Sequence, residues 1–384
     1  MIDSASCVGC GVCYAVCPVS CITMEENEAG FFYPHIDMTK CCNCGKCVEK
    51  CPIAKQPNVD ARSSFERQYM AGYALGENMN ELSTSGGIAT LISKQFVKNG
   101  VVFGASFTNG VAQVEHVKCV SEEECDRLAG SKYVQSKTHE VYKEIQDELS
   151  NDRRVLYIGT PCQVAAIKRM VRYEGEERLY TIDFICHGVP APLAWKKFAL
   201  YLENKKKSKI CQYNFRYKAD GWGKLMVKAE FANGKKILSR ADFNAYHCWF
   251  GNHYSLRKSC FGCQFRSKER ESDLTIADFW HVQKYLPDIS TRQGVSAIQV
   301  NTANGLELLQ ESIKEEKLWV SPVSEDSIWS GRKITSTNFH VPEQWDEFQH
   351  SVATLTPKEL AKKYPSLSYW DLLIDKGRCM LKRK

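Results

Sequence analysis

The sequence predicts a chain of mixed α+β and α/β architecture in three parts, which we place at residues 1–58, 65–330 and 331–384. Two cysteine runs with one repeated spacing define the first part as a small α+β domain. Strand, turn and helix patterns alternate along the second part, which is typical of an α/β core. The third part is expected to be a helical extension. At 384 residues the chain is long enough for two or three domains.

The two cysteine runs share the spacing C-x2-C-x2-C-x3-C-P. This spacing resembles that of bacterial ferredoxins, in which three thiolates bind one [4Fe-4S] cluster and the fourth binds the other. Residues 1–58 are therefore predicted to form a ferredoxin-like domain with two [4Fe-4S] clusters. The expected ligands are Cys7, Cys10, Cys13 and Cys51 for the first cluster, and Cys41, Cys44, Cys47 and Cys17 for the second.

Zinc is the main alternative for these cysteines, because C-x2-C pairs also occur in zinc ribbons. Zinc binds two such pairs, whereas each run offers a triplet plus one cysteine, and the pattern repeats. Disulfides are the weaker alternative, since 19 cysteines without an export signal indicate a reducing cytoplasm. Cys21 and Cys42 are needed by neither cluster, and we interpret them as small buried residues beside a cluster.

Composition favours a soluble, cytoplasmic protein. Hydrophobic residues make up 43% of the chain, and no apolar run approaches the roughly 18 residues that a membrane span needs. The first cysteine run begins at Cys7, so we expect no signal peptide. The net charge of +6 is modest. We interpret the basic stretches as solvated surface, or else as a dock for an acidic partner or anionic cofactor, and expect no nucleic-acid partner.

The second part alternates predicted helices and strands. Ser85, Gly86 and Gly87 precede a helix in which apolar residues recur from Ile88 at i, i+3, i+4 spacing. An Asn233-Gly234 pair predicts a hairpin with a type I′ turn. Further strands are expected at 101–107, 155–158, 180–185, 225–231, 235–239, 273–279 and 295–301. Further helices are expected at 138–150, after residue 160, at 191–206, from residue 306 and from a capping box at 356–359.

Four more cysteines form a second constellation. Cys162 and Cys186 each follow an apolar strand, and Cys260 and Cys263 supply a C-x2-C pair. Since parallel strands end at the same edge of a sheet, the four could meet there. Four thiolates are what a third [4Fe-4S] cluster requires. Zinc and scattered buried cysteines remain the alternatives.

Five motifs, at residues 85–87, 130–134, 159–163, 185–188 and 272–280, together resemble the coenzyme factor-420 hydrogenase/dehydrogenase beta subunit family. They follow the family order and cover roughly residues 65–330. The resemblance implies an α/β domain that binds FAD and a [4Fe-4S] cluster and passes electrons between clusters and flavin. It also implies that Cys162, Cys186, Cys260 and Cys263 are the internal cluster ligands. Many members carry a fused two-cluster ferredoxin module, as this chain does.

The resemblance also indicates a flavin site. Ser85, Gly86 and Gly87 open a helix, and a helix N-terminus attracts phosphate; a capped surface helix is the alternative. The remaining residues assigned to the cofactor are Lys132, Tyr133, Thr160, His187 and Asp278. Ordinary surface is the alternative for Lys132 and Tyr133, and a structural role the alternative for His187. The motif around Asp278 ends in His281, where family members often have glycine, which leaves the factor-420 substrate in doubt.

Two functional hypotheses from different classes follow. The first is an iron–sulfur flavoprotein oxidoreductase, in which electrons pass from an electron-transfer protein through the clusters to FAD and a small-molecule acceptor, a deazaflavin or another. The second is a non-catalytic electron-transfer subunit of a larger oxidoreductase. A structural variant without flavin is a third possibility. The sequence does not distinguish FAD from FMN.

Overall fold

The computed structural model describes residues 3–54, 65–76, 83–171, 175–218, 221–330 and 340–367. Within these ranges the strands form sheets of two, three and eight strands. The strands are β1 (Ile22–Glu26), β2 (Phe32–Ile36), β3 (Gln68–Ala74), β4 (Gly100–Thr108), β5 (Gln113–Cys119), β6 (Arg154–Ile158), β7 (Leu179–Phe184), β8 (Ile210–Tyr217), β9 (Met226–Phe231), β10 (Lys236–Arg240), β11 (Leu274–Asp278), β12 (Ser296–Val300) and β13 (Leu318–Pro322). The helices are α1 (Val12–Ala15), α2 (Lys46–Glu49), α3 (Ile88–Phe96), α4 (Glu122–Cys125), α5 (Val141–Ser150), α6 (Pro161–Val171), α7 (Pro192–Lys206), α8 (Ala245–Gly251), α9 (Ala303–Lys314), α10 (Glu325–Trp329), α11 (Trp345–Thr354) and α12 (Pro357–Lys363).

The N-terminal domain has the α+β fold that its cysteine runs predict. Strands β1 and β2 pair antiparallel, with Met24 opposite Pro34. Helices α1 and α2 each lie inside one cysteine run and follow Gly11 and Gly45, whose φ angles are 78° and 74°. Glycine adopts this left-handed conformation without the strain that a side chain adds. The two runs therefore repeat in local structure as they do in sequence.

The eight-stranded sheet of the described residues has the order β13-β3-β12-β11-β7-β6-β4-β5. Strands β4, β6, β7 and β11 run parallel, with Val102 opposite Leu156 and Ile182 opposite Leu274. Strands β5, β12, β3 and β13 extend the sheet by antiparallel pairing. The α/β prediction is confirmed, and the parallel strands share one carboxyl-terminal edge.

Both faces of this sheet are covered, as its parallel part requires. Val102 and Leu156 point into a core that includes Leu91 of α3 and Leu309 of α9. Their neighbours along the strands point into an opposite core formed with α5 and α6. That second core contains Val101, Phe103, Val155, Tyr157, Ile145 and Ile167.

A third core is rich in aromatic residues and joins the two domains. Trp195 of α7 lies 4.8 Å, between ring centroids, from Phe215 of β8 and 5.1 Å from Tyr246 of α8. Phe31 of the N-terminal domain is 2% exposed and belongs to the same cluster. The N-terminal domain therefore shares a hydrophobic core with the rest of the chain.

The hairpin of β9 and β10 differs from its prediction in the turn. Gly234 has a φ of 78°, whereas Asn233 does not have a positive φ. A type I′ turn needs positive φ at both positions, so that prediction is wrong. The Gly234 N–H donates to the Phe231 oxygen at 2.9 Å, and the Phe231 N–H donates to the Lys235 oxygen at 2.9 Å. The loop is one residue longer than a two-residue turn, so glycine alone takes the left-handed conformation.

Helix α9 begins at Ala303, earlier than the expected residue 306, because Thr302 caps it by accepting a hydrogen bond from the Gly305 N–H. In the C-terminal region the predicted capping box is confirmed, with Thr356 and Glu359 bonded reciprocally at the start of α12. The helical extension predicted at 331–384 is described only over 340–367, where α11 and α12 lie. Its boundary at residue 331 stays a prediction.

His116 of β5 supplies a prediction about pH. Its ring stacks on Tyr157 at 5.0 Å and donates to the Ile158 oxygen at 3.0 Å. Burial lowers its pKa from 6.5 to about 4. Between these values the unfolded chain takes up a proton that the folded chain does not, so stability falls as the pH falls. The loss should reach about 3 kcal/mol below pH 4.

Denaturant unfolding of the wild type and the His116→Phe variant at several pH values measures this loss as a difference. The variant should lose part of the acid sensitivity, whereas a variant of the exposed His35, His35→Phe, should retain all of it. Equal acid sensitivity in His116→Phe and the wild type would contradict the prediction.

Candidate functional site

The carboxyl-terminal edge of the parallel strands gathers several residues that the sequence predicted as functional. Cys162 follows β6 and begins α6, Cys186 follows β7, and Asp278 ends β11. The Thr160 hydroxyl lies 3.1 Å from the Cys162 sulfur. The Thr160 N–H donates to the Gln163 side-chain oxygen at 2.9 Å, which fixes the turn into α6. Thr160 therefore contacts the cysteine site, while its predicted role in binding the cofactor stays a prediction.

The four internal cysteines are neighbours, because the pKa values of Cys162 and Cys186 are each raised by other members of the set. The set is Cys162, Cys186, Cys260 and Cys263. Burial raises the pKa of Cys162 to about 12, with further contributions from Cys263 and Cys260. Burial raises the pKa of Cys186, and Cys260, Cys162 and Cys263 add to it. The structure brings together the four cysteines that the sequence predicted. Buried thiolates that repel one another need a compensating positive charge.

Three arginines supply part of that charge. Arg257 lowers the pKa of Cys162 and Cys260, against the larger effect of burial. Arg266 lowers the pKa of Cys260 and Cys263, and Arg270 lowers that of Cys263, where burial again dominates. The donor set, four neighbouring thiols with three arginines nearby, fits an anionic iron–sulfur cluster.

No group of three or more histidine, cysteine, aspartate or glutamate side chains is arranged around a single metal ion in the described ranges. Ligands of one zinc ion converge on one point, whereas a four-iron cluster binds each thiolate at a separate iron.

The first cysteine set of the N-terminal domain is also brought together. Burial, together with Cys7 and Cys51, raises the pKa of Cys13 to about 12. Burial likewise raises the pKa of Cys10, which is 6% exposed, and Cys13 adds to it. Cys51 comes from the second run, so one cysteine of that run lies near the first set, while its role as a ligand stays a prediction.

The second cysteine set is nearer the surface. Cys44 is exposed, and Cys41 and Cys47 are half-buried. The Cys17 sulfur lies 3.4 Å from the sulfur of buried Cys21, and the Cys21 N–H lies 3.4 Å from the Cys17 sulfur. Cys21 is therefore a small buried residue beside a predicted ligand, as interpreted. Cys42 is exposed, so its interpretation as buried is wrong.

The loop that carries Cys260 and Cys263 contacts the first cysteine set at both ends. Arg257 donates from Nε to the Cys7 oxygen at 2.8 Å. Gln264 donates from Nε2 to the oxygen of Pro52, the residue after Cys51, at 2.7 Å. The internal cysteine site and the first N-terminal site are thus adjacent.

The predicted phosphate site at α3 has a glycine cap. Gly87 has a φ of 80° and precedes the helix. The Gly86 N–H donates to the Ser296 hydroxyl at 3.1 Å, and a Cβ on Gly86 would lie 2.6 Å from the Gly72 oxygen. The Ser85 hydroxyl donates to the Val295 oxygen at 3.0 Å. Part of this segment is therefore used to join α3 to the sheet, a role that the sequence did not indicate.

Lys132 and Tyr133 are adjacent in sequence and differ in surroundings. The Lys132 ammonium donates to the oxygens of Arg127 and Ala129, both at 2.9 Å, and burial lowers its pKa to about 7. The Tyr133 ring stacks on Phe250 at 5.0 Å. In the structure Lys132 binds backbone oxygens, while Tyr133 belongs to a cluster around Asp278.

Asp278 is held by two residues that the sequence did not single out. Arg216 of β8 donates from Nη1 to one carboxylate oxygen at 3.1 Å and to the Tyr133 hydroxyl at 3.3 Å. The Trp222 indole donates to the other oxygen at 3.1 Å, and its ring stacks on Trp280 at 4.5 Å. No local sequence signal marks Arg216 or Trp222, because β8 and the segment before β9 bring them to the site.

His187 completes this cluster. Its Nε2 lies 2.9 Å from Nε2 of His253, and its ring packs edge-on against Phe250 at 5.1 Å. Burial, together with His253 and Arg266, lowers the pKa of His187 to about 4. Phe250 thus contacts both His187 and Tyr133, which places the residue after Cys186 beside the group around Asp278.

One buried polar atom of this cluster has no hydrogen-bond partner among the described residues. It is Nη2 of Arg216, a residue that is 8% exposed. A buried guanidinium nitrogen without a partner costs free energy, so a polar group of a ligand would stabilise it.

Residues 152–326, which include this cluster's Asp278 and the internal cysteine site, match the family model for the C-terminal part of the beta subunit of coenzyme F420 hydrogenase/dehydrogenase.

Residues 152–326 belong to this family. Residues 6–54 match the model of the 4Fe-4S dicluster domain, so the beta-subunit domain follows a domain for two iron–sulfur clusters. Together the matches assign an electron-transfer role to the chain within a family of oxidoreductase subunits.

Among solved structures, the chain is similar to one from the F420-reducing [NiFe] hydrogenase complex of Methanosarcina barkeri, studied with xenon. The sequence identity is 13%, the TM-score is 0.47, and the likeness covers 77% of this chain and 90% of that chain. Among curated proteins, none matches significantly. Within the described ranges, none of the helices has both the length and the apolar character of a membrane span.

Proposed function

We propose that this protein is a cytoplasmic iron–sulfur flavoprotein oxidoreductase with three [4Fe-4S] clusters and one FAD. The observation that carries the proposal is the contact of the Cys260–Cys263 loop with both ends of the first cysteine set, through Arg257 and Gln264. Electron transfer needs neighbouring redox centres, and these contacts join the two cysteine sites. The internal site, in turn, borders the cluster around Asp278 through the Cys186-His187 step.

Exposure of the cysteines suggests the order of the path. The second cysteine set, with exposed Cys44, is nearest to an incoming protein partner. The first set, with buried Cys10, follows, and the internal set comes next. When bound, FAD would accept single electrons and release them in pairs to a small-molecule acceptor, a deazaflavin or another.

The residues around Asp278 would bind and orient the flavin. Arg216 offers a buried nitrogen as a donor, and its pairing with Asp278 fixes the direction of that donor. Tyr133 and Phe250 offer stacked aromatic rings that pack against planar groups. Gly87, which precedes α3 with a positive φ, would approach a phosphate closely. Thr160 lies against Cys162 and His187 lies against Phe250, where both would help to exclude water.

Anaerobic purification with iron and sulfide analysis, and mass spectrometry of the released cofactor, tests the proposal. The wild type should contain about twelve iron atoms and one FAD per chain, whereas about eight iron atoms would remove the internal cluster. In the Arg216→Met variant FAD should fall to less than about half of the wild-type content while iron is unchanged. The Arg240→Met variant, at an exposed position of β10, should match the wild type.

The beta-subunit family also favours a second candidate, a non-catalytic subunit of a larger oxidoreductase. Purified protein that reduces a dye or natural acceptor supports the enzyme. If the clusters of the purified protein are oxidised and reduced but no acceptor is reduced until a partner protein is added, the result supports a non-catalytic subunit.

A further inference from the structure

A cleft of about 670 Å³ lies beside the cluster around Asp278 and takes no part in the proposed electron path. Its volume falls within the roughly 300–1,000 Å³ that is usual for small-molecule sites. Among the described residues that line it, two carry a charge, Lys224 and Arg292, and both are positive and exposed. The other polar side chains of the lining are those of Gln283, Ser290 and Thr291. The cleft therefore favours a small polar anion over an apolar ligand.

Trp222 is the apolar wall of this cleft and also binds Asp278. It is 4% exposed, its indole N–H donates to the Asp278 carboxylate at 3.1 Å, and its ring stacks on Trp280 at 4.5 Å. On Trp280, the central carbon of the Arg216 guanidinium lies 5.1 Å from the ring centre. A molecule in the cleft would thus contact a residue that holds the proposed flavin-binding cluster together.

The backbone around the cleft is held by the protein's own hydrogen bonds. The Trp222 N–H donates to the Arg292 oxygen at 3.0 Å. The Lys218 ammonium donates at 2.9 Å to the Ser85 oxygen, before α3, and at 2.6 Å to the oxygen of the residue after Arg292. Gly294 has a φ of 96°, and a Cβ there would lie 3.0 Å from Trp222 Cδ1, so glycine lets the loop pack against the indole. Walls that are already bonded in this way lose little conformational freedom when a ligand binds.

We propose that this cleft binds the small-molecule electron acceptor by a phosphate or carboxylate group, which Arg292 and Lys224 recognise. This inference rests on the proposed function, since only a protein that reduces a small molecule needs a site for one. Arg292 has a planar guanidinium that pairs with two oxygens of either group, and Lys224 adds a second positive charge. Ser290 and Thr291 offer hydroxyls to the same anion. The rest of the acceptor then lies against Trp222.

Calorimetric titration of the anaerobically purified full chain with inorganic pyrophosphate and with citrate tests this proposal. At least one probe should bind, and the tighter one distinguishes a phosphate site from a carboxylate site. In Arg292→Gln and in Lys224→Gln the dissociation constant should rise about tenfold, because each variant loses one charge-assisted contact. Both side chains are exposed, so these variants should fold.

Two further measurements locate the bound anion. The absorbance spectrum of the flavin should change with the same dissociation constant, because the cleft borders the cluster around Asp278. The FAD content of Arg292→Gln should equal that of the wild type. The matched control is Lys235→Gln, at an exposed lysine between β9 and β10, which should bind the probe as the wild type does.

The outcomes separate this inference from the proposed function. A wild type that contains FAD but binds neither probe, or variants that bind as tightly as the wild type, would reject the inference alone. Binding without a change in the flavin spectrum would also reject it, and so would a loss of FAD in Arg292→Gln, which would assign the cleft to the flavin. A wild type that lacks FAD would reject the proposed function, and with it the acceptor, even if both variants weaken binding of the probe.

Discussion

Replacing Cys186 by alanine should remove about four of the roughly twelve iron atoms per chain and leave the N-terminal clusters in place. Cys186 is half-buried near Cys162, Cys260 and Cys263, and a cluster that loses one of four thiolates loses an iron ligand that alanine cannot replace. The N-terminal sets use other cysteines. Iron and sulfide analysis of protein reconstituted without oxygen measures the loss, and paramagnetic resonance identifies the clusters that remain.

The matched control is Cys211→Ala, at an exposed cysteine of β8. It should retain the iron content of the wild type. Full iron content in Cys186→Ala would exclude Cys186 as a ligand and would support the alternative of scattered buried cysteines. A loss of about eight iron atoms would show instead that the internal and N-terminal sites cannot form independently.

Replacing Asp273 by alanine should lower the free energy of unfolding by about 3–5 kcal/mol. Asp273 is 3% exposed, and one of its carboxylate oxygens accepts from the Lys168 ammonium at 3.1 Å and the Thr302 hydroxyl at 2.9 Å. The other accepts from the Thr181 N–H at 2.8 Å. Alanine would leave a partly buried ammonium and a buried N–H without partners, and it would loosen the cap of α9.

Denaturant unfolding measures this loss, with Asp288→Ala at an exposed position as the control. Asp273→Asn retains hydrogen bonding but removes the charge, so its stability should lie between those of Asp273→Ala and the wild type. If Asp273→Ala and Asp288→Ala were equally stable, the buried network would not contribute as described.

The parts of the fold that the sequence predicted well are those with local signals. The cysteine spacing predicted an exchange of ligands between the two runs, and Cys51 lies with Cys7 and Cys13. The strands ending before Cys162 and Cys186 were expected from short apolar runs, and they are β6 and β7. Each of these patterns spans only a few residues. The folded structure matches them because burial and turn formation depend mainly on neighbouring residues.

Residues brought from distant strands were not predictable in the same way. Arg216 and Asp278 are 62 positions apart, and only the tertiary fold makes them an ion pair. Arg257 bonds to Cys7 across 250 positions. The type I′ prediction was wrong for a related reason, since the Asn-Gly pair indicates a turn but the register of the flanking strands decides its length. The flavin residues stay predictions, and Lys132 shows why, because its ammonium binds backbone oxygens in the fold.

The shared core around Phe31 and the bonds from Arg257 and Gln264 also have a kinetic consequence. When two electron carriers are separate proteins, each transfer waits for a diffusional collision whose rate depends on concentration and salt. In the proposed scheme the internal carrier is already in contact with the first N-terminal carrier, at an effective concentration that the fold fixes. Transfer within the chain should therefore be first order and insensitive to dilution, and dilution should slow only the step at the exposed Cys44 surface.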